Sequence, residues 1–186
     1  IPDGEPLPES SASPVRKFVQ MWTTNDLAKD ADSLTNRNFT QGKATFESAG
    51  CIKCHKIGND GVNLGPDLTK VSDRFKGGKL LQQMLEPSSE VNKQYQTWVA
   101  AMNDGRVIAG MLVEQAEDHV TLLPNPLKPE TKITLPKADI DEFEASTVST
   151  MPMSLLITYS RDEILDLLAY VQSGGNSKDS VFSASK

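Results

Sequence analysis

Cys51-Ile52-Lys53-Cys54-His55 is the stretch on which the reading of this chain turns. The two cysteines of the sequence stand three positions apart, a spacing that suits a redox dithiol, half of a zinc site, or attachment of haem. The residue after the second cysteine separates these. In C-x-x-C-H the two thiols can add to the two vinyl groups on one porphyrin edge, while the adjoining histidine turns under the ring and offers a nitrogen to iron. With two Cys and two His in 186 residues, chance would produce the string on the order of a few times in ten thousand such chains. Structural zinc wants four Cys or His ligands, and His119 completes that number only if His55 is spent on the metal too. A thioredoxin-like dithiol should open a helix after a strand, whereas the residues ahead of Cys51 are helical in pattern. The motif therefore predicts one covalent haem, anchored by Cys51 and Cys54, with His55 as an axial ligand of its iron.

Working outward, Thr40 is a candidate cap for a short helix running through Ser48, with Phe46 on its buried face and Gly50 ending it before Cys51. Downstream, Gly65-Pro66-Asp67-Leu68 reads in isolation as a turn. Lys79 to Glu86 is a helical stretch closed by Pro87, and the texture then changes. Tyr95–Met102 and Val107–Val113 flank Asn103-Asp104-Gly105, a hairpin signal, and further short runs follow at 119–123, 132–135 and 140–143. Residues 94–145 are thus expected to form four or five antiparallel strands. Near the far end, Ser160-Arg161-Asp162-Glu163 is a capping box, and Ile164, Leu165, Leu167, Leu168 and Val171 recur at helical spacing until Gly174 stops the helix. At the start, Ser13-Pro14 can open a helix through Trp22, and the Ser- and Lys-rich residues 176–186 are expected to be disordered.

The composition narrows the function. A net charge of −6 with scattered basic residues makes nucleic acid a poor partner. No apolar run reaches the roughly 20 residues that cross a bilayer. The N-terminus lacks a Met, a basic n-region and an apolar h-region, so an export signal is expected to have been removed or to lie upstream, in a longer parent chain. Both cysteines are used by the haem motif, leaving none for a disulfide. Asp139, Asp141, Glu142 and Glu144 form an acidic run whose ordinary role is a solvated face, with docking of a basic redox partner as the alternative.

Cys51–His55, Gly65–Leu68 and the terminal helix together resemble class I cytochromes c. In that family the Gly-Pro-x-Leu proline carbonyl accepts the second ring N–H of the axial histidine, which implies that role for Pro66 toward His55. Leu167 and Tyr170 are similar to the Leu and aromatic positions that cross a Gly and an aromatic of the preceding helix, here Gly42 and Phe46. The wider set, including Leu80–Pro87, Tyr95 with Asp104-Gly105-Arg106, Ile140, Ser149 with Met151-Pro152, and Asp166–Tyr170, resembles the planctomycete-type haem-binding domain, an elongated cytochrome c module of large secreted proteins. That resemblance covers about residues 40–173, with Phe18–Trp22 similar to the approach to it.

The resemblance implies a mainly α cytochrome c-like haem core with an inserted antiparallel β subdomain, α+β overall. Its parts are an N-terminal helical arm and linker (1–39), the core (40–93 plus 146–175), the insert (94–145) and the tail (176–186). It implies Met151 as the second axial ligand, since class I cytochromes supply their thioether from the loop before the last helix and Pro152 restricts the shape of that loop. Met153 is the runner-up and His119 a third candidate. Met21, Met84, Met102 and Met111 are read as arm, helix and hairpin residues.

The expected function is electron transfer by a mono-haem His/Met module of a larger extracytoplasmic, periplasmic-type redox protein, without catalysis of its own. The expected partner is a redox protein or an attached dehydrogenase domain. The alternatives are a haem-based gas sensor or haem enzyme with a displaceable distal ligand, and an interaction module whose insert binds another chain along a sheet edge.

Overall fold

The computed structural model describes residues 16–183. Four α-helices, α1 (Thr24–Ala31), α2 (Phe39–Ser48), α3 (Gly77–Leu85) and α4 (Arg161–Gln172), build its larger core. Between α2 and α3 lie a 3₁₀ turn, Cys51–Lys53, and a small hairpin of β1 (Lys56–Ile57) and β2 (Asp60–Gly61). Between α3 and α4 the chain forms a five-stranded antiparallel sheet: β3 (Thr97–Met102), β4 (Val107–Gln115), β5 (His119–Leu123), β6 (Ile133–Pro136) and β7 (Ile140–Ala145). The fold is therefore mixed α+β, and each strand falls within a few residues of its alternating run.

The helical core closes on α4, of which every residue from Ile164 to Val171 is buried. Its start is the Ser160–Glu163 capping box and its end is Gly174, whose φ of +65° suits a residue without a Cβ. Gly42 lets α2 lie directly on α4: a Cβ there would fall 2.8 Å from Tyr170 Cβ and against the Asp166 carbonyl. Phe46 and Phe39 then pack on the Tyr170 ring at centroid distances of 5.5 and 5.3 Å.

In the sheet, neighbours run β6-β5-β4-β3-β7, so the consecutive strands β6 and β7 occupy opposite edges. In a flat sheet those edges would be about 19 Å apart, yet the short link from Pro136 to Ile140 spans at most about 14 Å. The sheet must curl, and the register shifts at Ala101/Met102 and Leu112/Glu114 are where the added twist enters. Ala100, Met102, Val120, Leu122 and Leu135 fill the concave side as a second core, with Trp98 stacked on Phe143 at 4.8 Å. The chain leaves the helices and rejoins them at one place, because Ser149 N donates to Ser88 Oγ at 3.1 Å.

Several sequence expectations need correction. Ser13 and Pro14 lie outside the described residues, but the residues from Arg16 to Thr23 are not helical; Arg16, Val19, Gln20 and Trp22 donate to the segment before α4 instead of to one another, and tertiary bonds outweigh a weak local propensity. The first helix is α1, capped by the Thr23–Asp26 box. Helix α2 is capped by Asn38, whose side chain accepts from Gln41 N at 3.0 Å, and not by Thr40. Helix α3 starts at Gly77 because Gln172 Oε1 and Asp32 Oδ1 accept from Gly77 N (2.8 Å) and Gly78 N (2.7 Å), which the local pattern could not foretell. The tail is ordered through residue 183: Arg37 N donates to Val181 O at 2.9 Å and Phe182 packs edge-on against Phe39 at 5.3 Å. Phe182 is the apolar anchor that a Ser- and Lys-rich composition conceals. Residues 184–186 lie outside the described part.

Candidate haem-attachment site

Helix α2 delivers the motif. Gly50, at φ +81°, reverses the chain after Ala49, and the 3₁₀ turn follows with Cys54 N and His55 N both donating to Cys51 O, at 3.1 and 2.9 Å. This tight turn presents the two cysteines from one short loop. They form no disulfide, and both are half-buried. Burial pushes the Cys51 thiol up to about 11, only partly opposed by a backbone hydrogen bond, so the sulfur is an uncharged thiol at neutral pH.

The loop after the motif folds back over it. Leu64 N and Gly65 N both donate to Cys54 O, at 3.0 and 2.6 Å, and Leu68 N donates to Lys56 O at 2.8 Å. That fold sets Gly65 flat against the imidazole of His55. A Cβ at residue 65 would lie 2.9 Å from His55 Cε1 and 3.1 Å from Nδ1. It also brings Pro66 O to 2.9 Å from His55 Nδ1. A carbonyl only accepts, so Nδ1 carries the proton and the lone pair stands on Nε2, as a metal-ligating imidazole needs. Burial lowers the pKa of His55, with the Pro66 carbonyl pulling the other way, which keeps the ring neutral and able to donate to a metal. The same loop is braced by Asp67, which accepts from Thr69 N at 2.8 Å and from the Thr69 hydroxyl; those bonds hold its carboxyl below the usual range.

Met151 is half-buried in the irregular segment between β7 and α4, with its N–H on Ser149 Oγ at 3.1 Å; Met153 is 64% exposed. Two residues of that segment, Leu156 and Tyr159, are buried in the same core as Phe46 and Ile57. Tyr159 donates its hydroxyl to Ser48 Oγ at 3.0 Å, at the end of α2 and just ahead of Cys51. The segment that carries Met151 and the attachment turn are thus joined through one side-chain bond. His119 opens β5, where its Nδ1 lies 2.7 Å from Asp118 Oδ1 and its Nε2 3.8 Å from Glu114. Met84 packs against the helical core, Met102 is buried in the sheet core, and Met21 is 63% exposed.

The residues present fit a covalently attached haem. Two uncrosslinked thiols share one turn with an imidazole whose protonated nitrogen is already bonded, and the residue against the ring has no side chain. Among the described residues no cluster of three or more His, Cys, Asp or Glu could hold a bare metal ion. Sequence reasoning missed Tyr159, Ser48 and Ser88, which tie the loops together; each pairs with a residue more than 60 positions away, and no local pattern marks such bonds.

No helix among the described residues is long and apolar enough to cross a membrane. No curated protein matches the chain. A family model described as Cytochrome c matches residues 39–125, a span that includes Cys51, Cys54, His55 and Pro66 and ends before Met151. That match supports a c-type cytochrome module with covalently bound haem c and an electron-carrier role.

Proposed function

We propose that this chain is a mono-haem electron-transfer domain whose haem is held by Cys51 and Cys54, with His55 and Met151 as axial ligands. The observation that carries the reading is the 2.9 Å bond between His55 Nδ1 and Pro66 O beside two uncrosslinked thiols in one turn. Bound haem would supply a one-electron Fe(III)/Fe(II) couple, and a His/Met pair suits transfer better than gas binding. The chain's own residues keep that couple stable. Pro66 O fixes the tautomer and orientation of His55, Gly65 leaves its ring room, and Leu156 and Tyr159 anchor the segment carrying Met151 in the core. Met151 is favoured over Met153 by burial, and over His119 because that ring already has acidic neighbours in the sheet.

We further propose that residues 94–145 are an insertion into the haem core, which the adjacency of Ser88 and Ser149 supports. The module is proposed to belong to a larger extracytoplasmic protein of the planctomycete type and to exchange electrons with a redox partner or an attached dehydrogenase domain.

The test is optical and by mass. Denaturing mass spectrometry of protein made with the haem-attachment machinery should show one haem added per chain; a bare-chain mass would overturn the attachment. Met151→Ala should abolish the weak thioether-to-iron band at the red end of the oxidised spectrum and lower the potential, and Met153→Ala should leave both unchanged. The reverse pattern would move the ligand to Met153, and no change in either would point to His119 or an open site. Carbon monoxide binding to the reduced native protein would favour the gas-sensor reading.

A further inference from the structure

The residues from Arg16 to Thr23 form an extended strap across the segment that leads from Met151 to α4. It bonds three consecutive carbonyls of that segment. Ile157 O accepts from Val19 N at 2.8 Å and Gln20 N at 3.2 Å, Thr158 O from Arg16 Nε at 3.2 Å, and Tyr159 O from Trp22 Nε1 at 3.0 Å. The Arg16 guanidinium also lies 4.0 Å over the Tyr159 ring and pairs with Glu163, in the first turn of α4, at 2.6 Å. The strap's other large apolar side chains stay largely exposed: Phe18, Val19 and Met21 are 66%, 49% and 63% exposed. Apart from Trp22, which packs on the helical core, the strap is held by polar bonds and one stacked cation.

What it grips is the segment proposed to carry the distal ligand. The beginning of that segment is tied elsewhere, by Ser149 N on Ser88 Oγ and Met151 N on Ser149 Oγ. Its other end has Tyr159, whose hydroxyl reaches Ser48 beside the attachment turn, and whose ring and carbonyl are the two groups the strap covers. A thioether is a weak ligand. Its hold on iron depends on the effective concentration at which the loop presents it, and a looser loop lowers that concentration in favour of any competing ligand.

We propose that the strap, through Arg16 and Trp22, is a positioning device that keeps Met151 from being displaced, so that freeing the strap opens the distal position to exogenous ligand. This rests on Met151 being the distal ligand. Both residues lie outside the part of the chain matched by the Cytochrome c family model.

The experiment is an imidazole titration of the oxidised, haem-loaded full chain, followed by loss of the thioether-to-iron band. Trp22→Phe keeps an apolar ring but removes the N–H, and Arg16→Ala removes the stacked cation and the Thr158 bond. Each should lower the imidazole concentration at half-conversion about tenfold, the worth of one good polar contact, with haem content by mass and helical circular dichroism unchanged. Arg16→Lys, which keeps charge toward Glu163, should fall between. Phe18→Ser, on the same strap but exposed, should match the native chain. A strap that only supports the fold would instead lower the thermal midpoint and leave the imidazole midpoint native, and that result overturns the inference. Met151→Ala, run alongside, separates the two failures. If it leaves the band intact, the ligand assignment fails and the strap inference falls with it; if it removes the band while the strap variants titrate like the native chain, the strap inference alone is wrong.

Discussion

Replacing Gly42 by alanine sets two opposing effects against each other, and the sign of the outcome tests how α2 meets α4. In an unconstrained helix interior, Gly→Ala stabilises by about 1 kcal/mol through backbone entropy. At residue 42 the new methyl would fall 2.8 Å from Tyr170 Cβ and against the Asp166 carbonyl, so the helices must part by several tenths of an ångström. Overpacking of that kind costs about 1–3 kcal/mol, and the upper half applies because the neighbours are backbone and Cβ atoms rather than a flexible chain end. The net expectation is a loss of about 1–2 kcal/mol, or about 2–8 °C in the thermal midpoint of a chain this size. Far-ultraviolet circular dichroism of the haem-loaded protein reads it directly. Because α2 runs through Gly50 into the Cys51 turn, Gly42→Ala should also reduce the yield of covalently attached haem. A variant that melts higher than the native chain would show that α2 and α4 do not approach this closely, and the packing argument would fail.

Cys54→Ala should leave a haem attached through one thioether at most, seen as a shift in the reduced optical spectrum, and a Cys51→Ala, Cys54→Ala double variant should show no haem in the denatured mass. Ending the chain at Asn176 should cost about 1–3 kcal/mol, because it removes the Phe182–Phe39 contact and the bond from Arg37 N to Val181 O; an unchanged urea midpoint would show the tail to be free. Asp166 has its pKa raised by burial, opposed by Asn38 N and Arg37, so the folded state holds this proton more tightly than the unfolded chain does. Its contribution is therefore present below about pH 3.8 and is lost as pH rises through the folded value. Asp166→Asn should gain on the native chain between pH 3 and pH 7 in urea unfolding, and a constant difference would refute the assignment. Deleting 94–145 with a short linker should leave a haem-binding helical core, and loss of the thioether band in a folded deletion variant would show that the sheet shapes the pocket.

The parts legible in the sequence were those whose cause is local. The capping box Ser160–Glu163, the stop at Gly174 and the alternation in 97–145 are each decided by neighbours within a few positions, and the helix and strands they announce are present. The approach of His55 to Pro66 was legible only through the resemblance to class I cytochromes, because it joins residues 11 apart across a loop of no regular structure. The strap, the tail and the start of α3 were not legible. Trp22 finds Tyr159, Phe182 finds Phe39, and Gly77 finds Gln172 at separations where pattern carries no information. In each case a helix or a disordered end was the reasonable expectation, and a long-range partner decided otherwise.

The matched span covers only part of the folded helical core. A comparison running along the chain meets α2, the attachment turn, the Pro66 loop and α3 in order, and then enters the sheet, where the match stops at residue 125. The helix that completes the core, α4, comes only after all five strands, yet it packs on α2 with Gly42 seated against Asp166 and Tyr170. Contiguity in space is kept because the chain leaves at Ser88 and returns at Ser149, a hydrogen bond away. An element whose two ends lie that close can be long without separating what it interrupts, since the loop it closes costs little more entropy as it grows. The sheet can therefore carry its own core, Ala100 with Met102, Val120, Leu122 and Leu135, while the helices keep theirs. The Met151 segment sits at the join. It is held by Ser88 just past α3, by Ser48 at the end of α2 through Tyr159, and by the N-terminal strap, and of these three only the strap lies outside the matched span. The strap's hold on the segment proposed to carry the distal ligand is thus the one least determined by the matched span and the one open to change by mutation of Arg16 or Trp22.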